Sequence, residues 1–308
     1  ITAQAKAQIR ALCDAPNAGV HFFVGGTQAN LTVIAAALRP FEGVLSSDLG
    51  HINTHETGAV EATGHKVLTL PHTDGKITAQ QILDAYEAHI HDVNHEHIVR
   101  PAMVYLSHPT ELGTLYTHGE LDAIHRVAKR CGLRLFIDGA RLAYGLAADP
   151  AVSLPYLAGI CDAFTIGGTK CGLLFGEAVV LKSAQDWPYF RYHIKQRGAL
   201  LAKGRLLAVQ FQALLADGYY AALDREANRK AQRIKQALLN QGYRMLADTK
   251  TNQIFPILPN EALKTLQKAF TFAFWEAVDS RHTAVRICVG VTTPQENIQA
   301  LLSAVEAL

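Results

Sequence analysis

Short apolar runs alternate with longer amphipathic stretches along most of the chain, and the two periods predict different elements. GVHFF, GVLSS, HKVLTL, IVRPAMVYLS, LRLFID, DAFTIGG and EAVVLKS have the length and apolar density of strands buried on both faces. Between them, TQANLTVIAAAL predicts a helix that opens at Thr27 and stops at Pro40. KITAQQILDAYEAHI reads as a capped amphipathic helix, and GELDAIHRVAKRCG as a helix ended by Gly132. A further helix is expected from about Thr54 to Thr63. Strand and helix in this order, with crossover helices between apolar strands, predict a doubly wound α/β unit with a mainly parallel sheet.

The character changes after EAVVLKS. From Ala184 to about Gln241 the pattern is helical, with a polar break near Asp217–Gly218. TNQIFPIL, FTFAFWEAV and AVRICVGV then read as short strands, interrupted by the helix NEALKTLQKA and closed by the helix PQENIQALLSAVEAL. The expected division is a large domain over 1–215 and a smaller α+β domain over 216–308. At the other end, ITAQAKAQIRALCDAP begins inside a helix with no N-cap, which predicts further residues before Ile1 in the natural protein.

Composition narrows the class. The 308 residues are 49% hydrophobic and 18% charged, enough apolar material for a large core, with a slight excess that points to oligomer contacts. There are 29 Lys and Arg against 27 Asp and Glu, a net charge of +2, and the basic residues are spread along the chain rather than gathered in a patch. Nucleic acid is therefore not expected as a partner. No apolar run spans a bilayer and the first residues lack signal-peptide character, so a cytoplasmic protein without a membrane partner is expected. Five scattered cysteines, Cys13, Cys131, Cys161, Cys171 and Cys288, read as reduced, packed thiols. Cys171, next to Lys170, could be reactive or could simply fill a tight turn.

Candidate chemistry sits at strand ends. LRLFID and DAFTIGG place Asp138, Arg141 and Lys170 just beyond two apolar runs, where open α/β sheets hold ligands. Gly26 and Thr27 open a helix after a strand and a glycine turn, an arrangement that offers backbone N–H groups and a hydroxyl to a phosphate. There is no GxGxxG after the first strand and no GxxxxGK[ST], so a dinucleotide or P-loop site is not supported. His51 follows a strand end at a turn, where a histidine can face a ligand or serve structure alone. His89, His91, His95 and His97 crowd a polar stretch with Asp92 and Asn94. No cysteine or second carboxylate cluster completes a metal site there, and none is expected.

A lysine at a strand end, flanked by Gly167, Gly168 and Gly172, has room to form a Schiff base with an aldehyde cofactor. Pyridoxal 5'-phosphate additionally needs a carboxylate for its ring nitrogen, for which Asp138 is the candidate, and a phosphate cradle, which Gly26 and Thr27 supply. An amino-acid substrate needs a guanidinium for its carboxylate. Arg286, on an apolar strand of the small domain, is the first choice, and Arg141 the second. Taken singly, Asp138 could cap a helix, Lys170 could be a surface lysine and Arg286 could pair with a carboxylate. The order phosphate cradle, Asp, Lys, Arg on one α/β framework is harder to reconcile with those alternatives.

GGTQAN, HINTHETGAVEATG, IDGARLAYGL, GGTKCG, TNQ and VRIC together resemble the threonine aldolase and β-eliminating lyase family over nearly the whole chain; DGAR followed by GGTK is the most specific part. The resemblance implies an aspartate-aminotransferase-type fold, pyridoxal phosphate, and active sites at the interface of a homodimer or homotetramer. It implies that Lys170 bonds the cofactor, Asp138 faces the pyridine nitrogen, and Gly26 with Thr27 hold the phosphate. His51 would stack on the ring and help to deprotonate the substrate hydroxyl. Arg141 would sit near the cofactor oxygen and substrate carboxylate, and Arg286 would bind that carboxylate. Lys203, with Arg197 in KQRGALLAKGR, would reach a phosphate from the other subunit. SHPTEL departs from the family's ENTHN, so that motif's histidine falls on Thr110, which weakens the assignment of the aldolase base. The expected activity is cleavage of a threonine-like β-hydroxy-α-amino acid to glycine and an aldehyde. The alternatives are β-elimination with the same cofactor, or a cofactor-binding protein with little turnover.

Overall fold

The computed structural model describes residues 1–308 apart from the side chains of Ala221 and Leu223. The apolar runs form one seven-stranded sheet: β1 (Gly19–Phe23), β2 (Glu42–Ser47), β3 (Val67–Leu70), β4 (Arg100–Ser107), β5 (Arg134–Asp138), β6 (Ala163–Gly167) and β7 (Glu177–Leu181). Their spatial order is β1-β7-β6-β5-β4-β2-β3. β2 pairs in parallel with β3 and β4, and β5 in parallel with β4 and β6, whereas β7 is antiparallel to β6 and β1. With only β7 reversed, the C-terminal ends of the other strands share one edge. β7 brings its first residue, Glu177, to that edge, opposite Gly167 and Phe23.

Both faces of the sheet are covered, which is why the strands read as continuous apolar runs. Val104, Leu106, Leu135 and Ile137 pack on one side with Leu121 and Ile124 of helix His118–Cys131. Met103, Tyr105 and Phe136, the intervening residues, pack on the other with Ala29, Val33 and Ile34 of helix Gly26–Ala37. Local signals fix the helix ends. Thr78 with Gln81 and Thr117 with Glu120 form capping boxes, and Gly132 ends its helix at φ 66°.

Two helical expectations need correction. Between Thr54 and Thr63 there is no continuous helix. His51–Thr54 forms one turn, Thr57 and Gly58 take positive φ (54° and 69°), and only Glu61–Thr63 is helical again, as a 3-10 turn. Left-handed backbone at two consecutive residues cannot be carried inside an α-helix, so His55 lies outside one. The stretch from Ala184 to Gln241 is likewise divided, into Phe190–Gln196, Arg205–Leu214 and Tyr219–Asn240, with Asp217 and Gly218 at positive φ where the polar break was expected.

A second, antiparallel sheet follows, made of β8 (Arg244–Met245), β9 (Gln253–Ile254), β10 (Pro256–Pro259), β11 (Ala273–Ala277) and β12 (His282–Cys288). Its order is β11-β12-β10-β8, with β9 also pairing β12. The two-residue β8 is too short to leave a sequence pattern. Helix Tyr219–Asn240 still packs on the large sheet's side. The Tyr220 hydroxyl donates to the Gly167 carbonyl at 3.0 Å, and Asn228 Nδ2 to that of Tyr144 at 2.9 Å. All five cysteines are free, and only Cys288 is exposed. Cys171 is buried, and burial raises its thiol pKa well above the usual value, which favours the packing role over a reactive one. His89 is buried at its helix end, whereas His91, His95 and His97 are exposed. Among the described residues, no group of three or more His, Cys, Asp or Glu side chains is gathered as metal ligands, and no helix is long and apolar enough to cross a membrane.

Candidate active site

The loops that leave β2, β4, β5 and β6 at the shared edge converge on one small cavity lined by His51, Thr110, Glu111, Asp138, Arg141 and Lys170. Wider clefts exist, one of them beside Lys76 and Glu120, but they bring together no such set of carboxylate, lysine, arginine and histidine. Chemistry, not size, picks the site.

Glycine lets the β5 and β6 loops approach. A Cβ on Gly139 would lie 2.1 Å from the Thr165 carbonyl oxygen, and one on Gly167 would lie 2.4 Å from that of Ala140. The Gly167 N–H donates to the Gly139 carbonyl at 2.9 Å, and the Gly139 N–H to Thr165 Oγ1 at 2.7 Å. These bonds hold Asp138 and Lys170 in fixed relation. Beyond β6, the amides of Gly168 and Thr169 both donate to the Gly176 carbonyl. The Lys170 carbonyl accepts from the Tyr144 hydroxyl at 2.7 Å.

Asp138 is buried at 5% exposure, yet its surroundings favour the ionised carboxylate. Its Oδ2 accepts from Asn30 Nδ2 at 2.8 Å and from the Tyr105 hydroxyl at 2.7 Å, and its Oδ1 accepts from the Ala140 N–H at 2.8 Å. Burial pushes its carboxyl pKa up, but the Asn30 bond, the His51 charge, the Tyr105 bond and Lys170 outweigh it, and the net shift is downward. Lys170 is displaced the other way. Its half-buried amine is driven toward the neutral form by desolvation and then by the Arg141 charge, against the pull of Asp138 and Glu177.

His51 Nδ1 lies 2.8 Å from Glu56 Oε1, which also accepts from Asn30 Nδ2 at 2.8 Å. The Glu56 bond raises the imidazole pKa against the opposing effect of desolvation, with help from Asp138. The His55 ring stacks on His51 with centroids 5.6 Å apart. Thr110 lines the cavity, but its hydroxyl is engaged elsewhere, 2.6 Å from Thr114 Oγ1, which itself donates to the Asp74 carbonyl. Glu111 Oε1 accepts from the Ser107 hydroxyl at 2.5 Å and from the His51 N–H at 2.9 Å.

Not every expected residue lines the cavity. Gly26 and Thr27 open the helix whose next turn carries Asn30; that helix start has no side-chain cap, and a Cβ on Gly26 would meet open space. Arg286 lies on β12 opposite Ala273, and its charge bears on His55. Lys203 is exposed, in the non-helical stretch after residue 196, where the Arg197 carbonyl accepts from Gln28 Nε2 at 3.0 Å. Sequence reasoning missed Asn30, Tyr105, Ser107 and Glu111, and gave Glu56 no role. The available signals were a polar residue inside the apolar helix TQANLTVI and a hydroxyl inside the strand AMVYLS.

The fold is that of the pyridoxal-phosphate-dependent enzymes of the aspartate-aminotransferase type, a mostly parallel α/β sheet with a small antiparallel sheet after it, and the lysine and aspartate sit at adjacent strand tips. The β-eliminating lyase family pattern matches residues 2–260, and the chain belongs to that family. It is 32% identical to the low-specificity L-threonine aldolase of Pseudomonas aeruginosa over 272 residues, covering 86% of this chain and 77% of that one. Among solved structures, the Leishmania major threonine aldolase superposes with a TM-score of 0.95 at 41% identity, over 99% of this chain and 88% of that one. A structure of SPT with a PLP internal aldimine shares the fold at a TM-score of 0.72 and 17% identity, over 99% and 75% of the two chains.

Proposed function

We propose that the chain is a pyridoxal-phosphate-dependent lyase that cleaves threonine-like β-hydroxy-α-amino acids to glycine and an aldehyde. The observation that carries this is the pairing of Asp138 and Lys170 in one cavity, the carboxyl displaced toward its ionised form and the amine toward its neutral one. Those are the protonation states that a pyridinium partner and a carbonyl-attacking amine require. Kinship with threonine aldolases supports the choice of substrate.

The residues present fit the cofactor: Asn30, Tyr105 and Ala140 all donate to Asp138, whose net shift is toward the ionised form, and the start of helix Gly26–Ala37 has no side-chain cap to compete for a phosphate. When bound, pyridoxal phosphate supplies a ring that accepts the electron pair of a broken Cα bond. Lys170 Nζ would hold it through its aldehyde group, and Asp138 would keep the ring nitrogen protonated. Gly26 and Thr27 hold the phosphate through backbone N–H groups and the Thr27 hydroxyl. His51 would lie against the ring. Arg141 serves the phenolic oxygen and the substrate carboxylate, and Arg286 is the main carboxylate grip. Residues 1–215 form the cofactor-binding domain, and 216–308 the smaller domain that brings Arg286. Lys203 from a second subunit completes the phosphate site in a cytoplasmic homodimer or homotetramer.

The test is to load the protein with pyridoxal phosphate and supply L-threonine, with serine and cysteine in parallel. Glycine and acetaldehyde in equal amounts are expected, together with a cofactor absorbance that Lys170→Ala abolishes. Pyruvate and ammonia without glycine would identify a β-eliminating enzyme. Absorbance without any turnover would leave a binding protein, and no absorbance in the wild type would end the cofactor assignment.

A further inference from the structure

Cleavage of a β-hydroxy amino acid needs a group that takes the hydroxyl proton, and the residues first considered for it are poorly placed. His51 Nδ1 is committed to Glu56, which stabilises the doubly protonated ring. In that protonated form both ring nitrogens are donors and neither can take a proton. The Thr110 hydroxyl is held inside its own turn by Thr114. Glu111 is the carboxylate left on the cavity wall, beside Lys170, Arg141 and Asp138, and none of the assigned roles uses it.

Its two oxygens are not equivalent. Oε1 takes both donors supplied by other residues, the Ser107 hydroxyl and the His51 N–H. A carboxyl oxygen already receiving two hydrogen bonds is the poorer place for a proton, so the proton-exchanging oxygen is Oε2. We infer that Glu111, through Oε2, is the catalytic base that takes the β-hydroxyl proton of the substrate, an assignment that rests on the aldolase reading above. The O–H bond breaks and its proton passes to Oε2. The O–H electron pair becomes the second bond of the aldehyde carbonyl and the Cα–Cβ pair remains with Cα; the proton that Cα takes up to complete glycine balances the one removed by Oε2, which returns Glu111 to its starting state.

The surroundings suit the task. Burial raises the Glu111 carboxyl pKa although hydrogen bonds from Ser107 and backbone N–H groups oppose it, and Asp138 adds to the rise. A carboxylate lifted toward the working pH is a better acceptor than an ordinary surface one. The titratable and charged groups around it are His51 after β2, Tyr105 on β4, Asp138 and Arg141 at the end of β5, Lys170 beyond β6, and Tyr116 beyond the turn.

The test uses Glu111→Gln, which keeps shape and hydrogen-bonding length. In cofactor-free protein, infrared difference spectra of wild type minus variant should contain a protonated-carboxyl band that titrates above the ordinary glutamate range. In cofactor-loaded protein, L-threonine cleavage should fall by about a hundredfold or more. The dissociation constant of glycine, which lacks the hydroxyl, should stay within about threefold, and the acidic limb of the kcat/KM profile should vanish. Cleavage within a few-fold of wild type, no such infrared band, or loss of glycine binding together with cleavage would each overturn the assignment. If the loaded wild type cleaves no β-hydroxy amino acid at all, the aldolase reading falls, and the Glu111 role with it.

Discussion

Asn30 and Asp138 are 108 residues apart in sequence, and Asn30 Nδ2 donates to Asp138 Oδ2 at 2.8 Å. The same amide nitrogen reaches Glu56 Oε1 at 2.8 Å. One side chain, one turn into the helix that would cradle the phosphate, therefore holds both Asp138, the carboxylate proposed to face the cofactor ring, and Glu56, the carboxylate that holds His51.

Replacing Asn30 with Ala should thus loosen both at once. Removing a buried donor to charged acceptors costs about 1–3 kcal/mol, measurable as a lower urea midpoint with an unchanged slope. The sign of the pH effect follows from the Asp138 shift. Its folded pKa is depressed, so its stabilisation is present above the unfolded value of about 3.9 and is lost as pH falls through the folded pKa. The stability gap between wild type and variant should be steady at neutral pH and close on acidification. Cofactor affinity should weaken in parallel.

Glu56→Gln probes the other arm. His51 titrates above its ordinary value because of Glu56. A raised folded pKa means that the stabilisation is complete below about 6.5 and is lost as pH rises through the folded pKa. NMR titration of the His51 imidazole should show a drop in pKa in the variant, and the stability difference from wild type should shrink as pH rises through that window.

The frame of this site was legible in the sequence and its supports were not. Strands buried on both faces must be apolar throughout, so LRLFID and DAFTIGG announced themselves, and the polar residues just past them, Asp138 and Lys170, lie in one cavity. Asn30 and Tyr105 carry only a faint local mark, a polar group inside an otherwise apolar element. Asn30 sits in a helix of otherwise mostly apolar and small residues, and Tyr105 reads as one more core aromatic. Their contact with Asp138 depends on β4 lying beside β5 and on which face helix Gly26–Ala37 covers, and pairing order is not written in any single segment. The turn at Thr57 was missed for a different reason: threonine rarely takes positive φ, so HETGAVEATG looked helical.

Arg141→Gln should raise the Lys170 pKa. After burial, the Arg141 guanidinium is the largest influence that lowers it. The folded protein gives up the Lys170 proton at lower pH than the unfolded chain does, so stability rises with pH between the folded pKa and about 10.4. Carbon-13 NMR of reductively methylated, cofactor-free protein should show Lys170 titrating higher in the variant. The rise of stability with pH over that interval should flatten.

Gly167→Ala tests whether the approach of the two strand-tip loops is required. The added methyl would meet the carbonyl oxygens of Ala140 at 2.4 Å and Gly139 at 2.5 Å. Both are backbone atoms, and the Gly139 oxygen is also held by the Gly167 N–H, so neither can swing aside as a flexible side chain would. Relief requires the β5 and β6 loops to separate. Overpacking of this kind costs about 1–3 kcal/mol, and the separation moves Asp138 away from Lys170. The expected result is a folded protein with a lowered thermal midpoint whose cofactor affinity falls by more than the stability loss accounts for. Gly159→Ala is the control. It adds the same methyl in a helix on the same framework, where nothing lies within 4 Å of the new atom, and it should leave cofactor affinity unchanged. Equal cofactor binding by both variants would show that the glycine pair serves packing and not the geometry of the site.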